Sequence, residues 1–163
     1  MTKPNVLLIC VDHWPGRLLG AAGHPCISTP TLDSLAENGV RFTNAYSALP
    51  MCIPSRRSLM TSTTAKTHGD RIFNETLEMP KLPTLAGTFA QAGYQTYAVG
   101  KLHVYPQRDR IGFHDVLLNE EGRHHLGLMA DDYELFLADQ GYAGQEYVHG
   151  MCTNNYMTRP WHL

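Results

Sequence analysis

The chain has 163 residues, of which 43% are hydrophobic and 17% are charged. This balance provides enough apolar side chains for a folded core and excludes an intrinsically disordered protein. Lys and Arg together number 13 against 15 Asp and Glu, which gives a formal net charge of −2. Because nucleic acids and anionic membranes attract proteins with a basic excess, we expect neither of them as a partner.

The amino-terminal region contains no predicted targeting or membrane segment. Its longest apolar run, residues 6–11, is far shorter than the roughly 18 residues of a membrane-spanning helix. It also lacks the charged flank and cleavage site of a signal peptide, so we expect a cytoplasmic, bacterial-type location. The cysteines form no Cys-x-x-Cys pair, which argues against a zinc ribbon or a redox pair. We therefore expect three of them to be small buried hydrophobic residues: Cys10, Cys26 and Cys152.

The first third of the chain predicts two strands that flank a short helix. The aliphatic run Asn5–Val11 does not alternate, which is typical of a central parallel strand buried on both faces. After a Gly- and Pro-rich loop, Thr31–Asn38 has helical spacing of its apolar residues, with Gly39 as a left-handed stop. Val40–Tyr46 alternates apolar and polar residues and predicts a half-exposed strand.

The remainder of the chain predicts further helices and a strand in alternation. Thr84–Ala92 is a predicted helix closed by Gly93, and Tyr94–Val99 follows it as a strand. Asp131–Gln140 is a third helix, capped by acidic residues at its start. This order of elements predicts an α/β fold with a parallel sheet, in which ligands collect at the carboxyl ends of the strands.

The segment Cys52-Ile53-Pro54-Ser55-Arg56 predicts the start of a helix with reactive groups in its first turns. Proline fits the first turn of a helix, which places the Cys52 side chain at the positive end of the helix dipole. Arg56 lies one turn further on, so its guanidinium can reach the same place and bind an oxyanion. Helix physics alone leaves open the alternative of a buried cysteine followed by solvated arginines.

Two further pairs of polar residues follow predicted strands. Asp12 and His13 come directly after the first strand, where a carboxylate and an imidazole suit a divalent cation. The alternative for them is an ordinary turn. Lys101 and His103 follow the predicted strand Tyr94–Val99. An extended backbone there would project both side chains to the same side, one a fixed positive charge and the other a group that titrates near neutrality. A surface lysine beside a hydrogen-bonded histidine is the alternative there.

Two other polar stretches are less specific. Gln107–Arg110 and Arg123–His125 have the polarity of a substrate entrance, but we interpret both as solvated surface. His68-Gly69 is a pair common in loops and predicts no role by itself.

Taken together, these residues resemble the sulfatase family of the alkaline-phosphatase-like superfamily. The resemblance implies an α/β fold with a mixed, mostly parallel sheet flanked by helices. It also implies that residues 1–163 are the amino-terminal portion of a sulfatase catalytic domain, without the downstream metal ligands and the carboxy-terminal subdomain. The matching segments are residues 4–9 with Asp12, 29–36, 39–46, Cys52-x-Pro54-Ser55-Arg56, 61–69 and Gly100-Lys101-x-His103.

The resemblance implies that Cys52 is oxidised to Cα-formylglycine by a formylglycine-generating enzyme or maturase. The hydrate of this aldehyde would attack the sulfur of a sulfate ester. Asp12, His13 and the modified Cys52 would hold a divalent cation, Ca²⁺ in the first place, with Mn²⁺ and Mg²⁺ as alternatives.

The resemblance also assigns three polar side chains to the catalytic site. Arg56 would hold the formylglycine hydroxyl, and Lys101 would bind the sulfuryl and leaving oxygens of the substrate. His103 would contact substrate and act as an acid or base.

Three functions follow from this resemblance. The leading one is hydrolysis of a sulfate monoester, carried by a small molecule or a carbohydrate. The second is hydrolysis of a phosphonate monoester or phosphodiester by the same nucleophile and metal. The third is an inactive truncated fragment that needs the remaining carboxy-terminal segment as its partner.

Overall fold

The computed structural model describes residues 3–120, 123, 126, 127 and 130–143. The chain divides into two compact units, Met1–Tyr46 and Ser47–Leu163. Within the described ranges, no helix is long and apolar enough to cross a membrane.

The first unit is organised around one helix and the loop that precedes it. Helix α1 covers Pro30–Asn38, and a 3-10 turn covers Gly20–Ala22. The Thr29 hydroxyl accepts from the Gly20 N–H at 2.8 Å and donates to Asp33 Oδ1 at 2.9 Å. A Cβ at Gly20 would lie 2.3 Å from Asp33 Oδ2, so this close approach requires glycine. The predicted helix is therefore confirmed, and Asp33 fixes the loop to it.

The two strands predicted for the first unit are wrong. Neither Asn5–Val11 nor Val40–Tyr46 forms a strand, and their apolar side chains are exposed. A strand is stabilised by the hydrogen bonds of a neighbouring strand, and in the described part of the chain no segment pairs with either of them. Gly39, expected in the left-handed region, has φ −134°. Apolar composition alone was therefore insufficient to predict pairing.

The cysteines of the first unit are also placed differently from the prediction. Cys10 and Cys26 are exposed rather than buried. Cys10 belongs to the unpaired segment just described, and Cys26 lies in the loop before α1. Cys152 lies outside the described residues.

The described residues of the second unit form four helices and a short sheet. Helix α2 covers Cys52–Thr61, α3 covers Ala65–His68, α4 covers Leu85–Gln91 and α5 covers Asp132–Asp139. Strand β1, Tyr97–Gly100, pairs in parallel with β2, Asp115–Leu118. The prediction of α4, of α5 and of the strand before Gly100 is confirmed to within three residues, whereas β2 was not predicted.

Side-chain caps determine where α4 and α5 begin. The Thr84 hydroxyl accepts from the Gly87 N–H at 3.0 Å and donates to the Ile111 carbonyl at 2.6 Å. At α5, Asp131 Oδ1 accepts from the Glu134 N–H, and the Glu134 carboxylate accepts from the Asp131 N–H, which forms a capping box. Burial raises the pKa of Asp131.

An apolar core connects α2 with the sheet and with the segment that follows β1. Leu102 is 3% exposed and belongs to this core. Because Leu102 is anchored there, its neighbours Lys101 and His103 are held at the carboxyl end of β1, where α/β folds bind ligands. The buried members of the core are Met60, Leu102, Val104, Ile111 and Leu118.

Candidate functional site

Cys52 is the first residue of α2. Met51 precedes it with extended backbone angles, and the Met51 carbonyl accepts from the Ser55 N–H at 3.0 Å. Pro54 is the third helical residue, where the missing N–H costs no intrahelical hydrogen bond. The partly buried Cys52 side chain therefore lies at the positive end of a ten-residue helix. This part of the sequence prediction is confirmed.

Arg56 connects α2 to the segment after β1. It lies one turn after Cys52 and is partly buried. Its Nη1 donates to the Lys101 carbonyl oxygen. The alternative of solvated arginines therefore does not describe Arg56, nor does it describe Arg57, which is 2% exposed. Arg56 thus joins the Cys52 helix to the backbone of Lys101.

The Lys101–His103 segment is not extended as predicted. Gly100 has φ +105° and His103 has φ +59°, so the chain turns after β1. A positive φ at a residue other than glycine is strained and is often found at functional sites. His103 is 6% exposed, and its ring packs edge-on against Phe73 at a centroid distance of 5.7 Å. Lys101 is partly buried, so its side chain is more exposed than that of His103.

Glu120, for which the sequence predicted no role, holds the backbone of this turned segment. Its Oε1 accepts from the N–H groups of both Leu102 and His103, each at 3.0 Å. The side chain is only 1% exposed. Glu120 follows β2, so recognising that strand would have placed a carboxylate at the carboxyl end of the sheet.

The second oxygen of Glu120 forms an ion pair with the Arg123 guanidinium. Arg123 Nε also donates to the Glu120 carbonyl at 3.2 Å. The Arg123 carbonyl accepts from Gln107 Nε2 at 3.1 Å, and both residues are buried. The interpretation of Gln107 and Arg123 as solvated surface is therefore wrong, because these long-range contacts enclose them. Arg108–Arg110 are exposed, and His124 and His125 lie outside the described residues.

The charges that act on the Arg123 guanidinium include those of Arg56 and Cys52, at the start of α2. Burial lowers the pKa of the Arg123 guanidinium, and the Glu75 carboxylate raises it. The Arg56 guanidinium lowers that pKa further, while the Cys52 thiol group, as an anion, raises it. Arg123 thus adds positive charge near the residues of the candidate site.

A buried ion pair supports the body of α2 on the side of Arg57. Arg57 Nε contacts Asp70 Oδ2 at 2.6 Å, and the guanidinium also donates to the carbonyls of Leu77 and Glu78. His68 Nδ1 accepts from the Asp70 N–H, so its Nε2 carries the proton and donates to Ser58 Oγ at 3.0 Å. His68, which the sequence left without a role, therefore helps to hold α2 in place.

Asp12 and His13 form a turn in the first unit. Both side chains are exposed, and His13 has φ +56°. The turn therefore presents an oxygen and a nitrogen ligand from adjacent residues. This donor set fits a divalent cation.

Comparison with known proteins places nearly the whole chain in one group. The sulfatase family matches residues 4–152. An arylsulfatase from Clostridium perfringens is 38% identical over 170 residues, which cover 98% of this chain and 35% of that protein. The chain thus spans about a third of the length of this curated relative.

Two solved structures resemble the chain in three dimensions. The crystal structure of Ps i-CgsB has a TM-score of 0.64 and 31% identity, covering 72% of this chain and 29% of its own. The phosphonate monoester hydrolase of Agrobacterium radiobacter has a TM-score of 0.66 and 24% identity, covering 93% of this chain and 30% of its own. The second likeness concerns the fold alone.

Proposed function

Because the chain belongs to the sulfatase family, we propose that residues 1–163 are the amino-terminal portion of a sulfuric ester hydrolase catalytic domain. The complete protein hydrolyses a sulfate monoester of a small molecule or carbohydrate to an alcohol or phenol and sulfate. The remaining carboxy-terminal segment completes the site. The observation that carries this proposal is the position of Cys52 at the start of α2, with Arg56 one turn later and bonded to the Lys101 carbonyl.

The nucleophile is formylglycine, which a maturase produces from Cys52. When hydrated, it supplies one hydroxyl oxygen that attacks sulfur as the S–O bond to the alcohol breaks, and a second hydroxyl whose deprotonation expels sulfate and restores the aldehyde. The position of Cys52 supports this role, since N–H groups at the start of a helix stabilise negative charge. Water then rehydrates the aldehyde for the next turnover.

Asp12 and His13 would hold a divalent cation together with the modified Cys52, with Ca²⁺ as the first choice. A hard carboxylate oxygen and a neighbouring imidazole nitrogen in an exposed turn fit such an ion. The cation would supply positive charge that lowers the pKa of the nucleophile and neutralises the sulfate oxygens.

The side chains of the second unit orient the reaction and move its protons. Arg56 orients the nucleophilic hydroxyl from the turn above Cys52, and Lys101 binds the sulfuryl and leaving oxygens. His103, whose ring is shielded from solvent, holds or accepts the proton that the hydroxyl groups exchange. Arg56 lies in the first turns of α2, and Lys101 and His103 lie in the turn after β1.

The test is a comparison of substrates with the complete polypeptide made together with a maturase. We expect kcat/KM for an aryl sulfate to exceed that for the matching aryl phosphonate monoester by at least about 100-fold. A reversed preference would assign the protein to phosphonate or phosphodiester hydrolysis instead. Activity toward neither ester, with Cys52 fully converted, would contradict the proposal, and the same assays on residues 1–163 alone report whether this portion needs the rest of the chain.

A further inference from the structure

The segment that carries Lys101 and His103 is held by a buried carboxylate to which the proposed reaction assigns no chemical step. Two successive N–H groups, those of Leu102 and His103, converge on a single oxygen of Glu120, each at 3.0 Å. Converging backbone N–H groups of this kind form an anion-binding concavity. Here the anion is a side chain of the same unit, buried to 1% exposure.

We propose that Glu120 is a positioning residue for the proposed function, because it fixes the backbone of the segment that carries Lys101 and His103. The left-handed conformation of His103, φ +59°, is costly for a side chain other than glycine and persists only where its surroundings impose it. Glu120 imposes it through the two hydrogen bonds.

Glu120 is itself fixed from two sides. Its other oxygen forms an ion pair with Arg123, whose Nε also donates to the Glu120 carbonyl. The Glu120 N–H donates to Asp131 Oδ2 at 2.7 Å, which ties it to the cap of α5. A buried carboxylate with its charge paired and its N–H bonded has little freedom to move. Glu120 therefore holds the turn after β1 in a fixed position.

The segment is held on its opposite side by Arg56, which donates to the Lys101 carbonyl. The carbonyl of Lys101 is thus held by Arg56 of α2. The N–H groups of the next two residues, Leu102 and His103, are held by Glu120. This arrangement sets the distance between the helix that carries Cys52 and the turn that carries Lys101 and His103. An error of about 1 Å in such a distance can reduce turnover on the order of 100-fold.

Two substitutions distinguish the role of Glu120 as a hydrogen-bond acceptor from the role of its negative charge. Both Glu120→Gln and Glu120→Ala remove the negative charge opposite Arg123, but only Gln keeps an oxygen for the two N–H groups. We expect Glu120→Ala to lower kcat by about 100-fold with a much smaller change in KM. We expect Glu120→Gln to recover most of that loss. Thr84→Ala, which weakens the α4 cap in the same unit, is the stability control and should leave kcat unchanged.

Two further measurements distinguish a failure of the positioning role of Glu120 from a failure of the proposed function. The formylglycine content at Cys52 is measured for every variant, so that incomplete conversion is not mistaken for slow turnover. Hydrogen exchange of the Leu102 and His103 amides is measured in parallel, and in Glu120→Ala it should accelerate by at least about tenfold but not in Glu120→Gln or Thr84→Ala. If the wild type converts Cys52 but hydrolyses no sulfate ester, the proposed function fails and the exchange measurement alone decides on Glu120.

Equal loss of kcat in the Gln and Ala variants would overturn the positioning role, as would unchanged amide exchange in Glu120→Ala. If Glu120→Ala does not fold, the double variant Glu120→Met with Arg123→Met replaces it. That pair removes the acceptor without leaving a buried guanidinium uncompensated, and replacing a buried ion pair by apolar side chains is often tolerated. The double variant should show the same slow turnover and fast exchange, and wild-type values for both would overturn the proposal.

Discussion

Replacing Cys52 by alanine is expected to lower sulfate ester turnover of the complete polypeptide by at least about 10⁴-fold, because no other side chain replaces a missing covalent nucleophile. The fold should survive the change. Cys52 is the first residue of α2 and only partly buried, and alanine is a good helix former. The measurement is kcat/KM for an aryl sulfate, with the thermal unfolding midpoint recorded for the same samples.

Cys26→Ala is the matched control for this experiment. Cys26 is exposed in the first unit, and its contact with His24 uses the backbone N–H, which the substitution retains. Turnover of Cys26→Ala should equal that of the wild type. Wild-type turnover by Cys52→Ala would contradict the formylglycine mechanism.

The second large effect is on stability, at the buried pair of Asp70 and Arg57. Asp70→Asn preserves the shape of the side chain but removes the charge opposite the Arg57 guanidinium, whose side chain is 3% exposed. An uncompensated buried charge is costly, so the free energy of unfolding should fall by about 3 kcal/mol. Denaturant titration of wild type and variant measures this difference.

Asp115→Asn is the control for an exposed ion pair. Asp115 contacts Arg110 at 3.4 Å, with both side chains more than half exposed, and such pairs contribute about 0–1 kcal/mol. The substitution should therefore change stability much less than Asp70→Asn. Equal effects of the two substitutions would show that burial does not determine the contribution of the Asp70–Arg57 pair.

Local sequence signals were sufficient for α1, α4, α5 and the start of α2, whereas α3, Ala65–His68, lies in a segment interpreted as loop. Thr84 and Asp131 mark helix starts through their own caps, and Pro54 fixes the first turn of α2 beside Cys52. Each of these signals acts within one turn of the residue that carries it. The predicted α/β, alkaline-phosphatase-like fold is likewise confirmed by the family match and the structural neighbours.

The parts that the sequence did not predict depend on contacts between distant residues. The bond from Glu120 to the Leu102 N–H joins positions 18 apart, and Arg56 reaches the Lys101 carbonyl 45 positions away. The turn at His103 follows from these contacts, whereas the sequence after a strand favours an extended backbone. Conversely, Asn5–Val11 has the composition of a buried strand but no partner among the described residues. Pairing and burial are properties of the fold, and hydrophobic pattern alone does not determine them.

The mass of the tryptic peptide that contains Cys52 shows whether this residue becomes the catalytic aldehyde. The complete polypeptide is prepared with and without a competent maturase, and the Cys52→Ala variant identifies the peptide. We expect the maturase to convert the Cys52 CH₂–SH group to an aldehyde, with the corresponding loss of mass, and sulfate ester turnover to rise in proportion to the converted fraction. An unmodified Cys52 thiol in fully active protein would contradict the account.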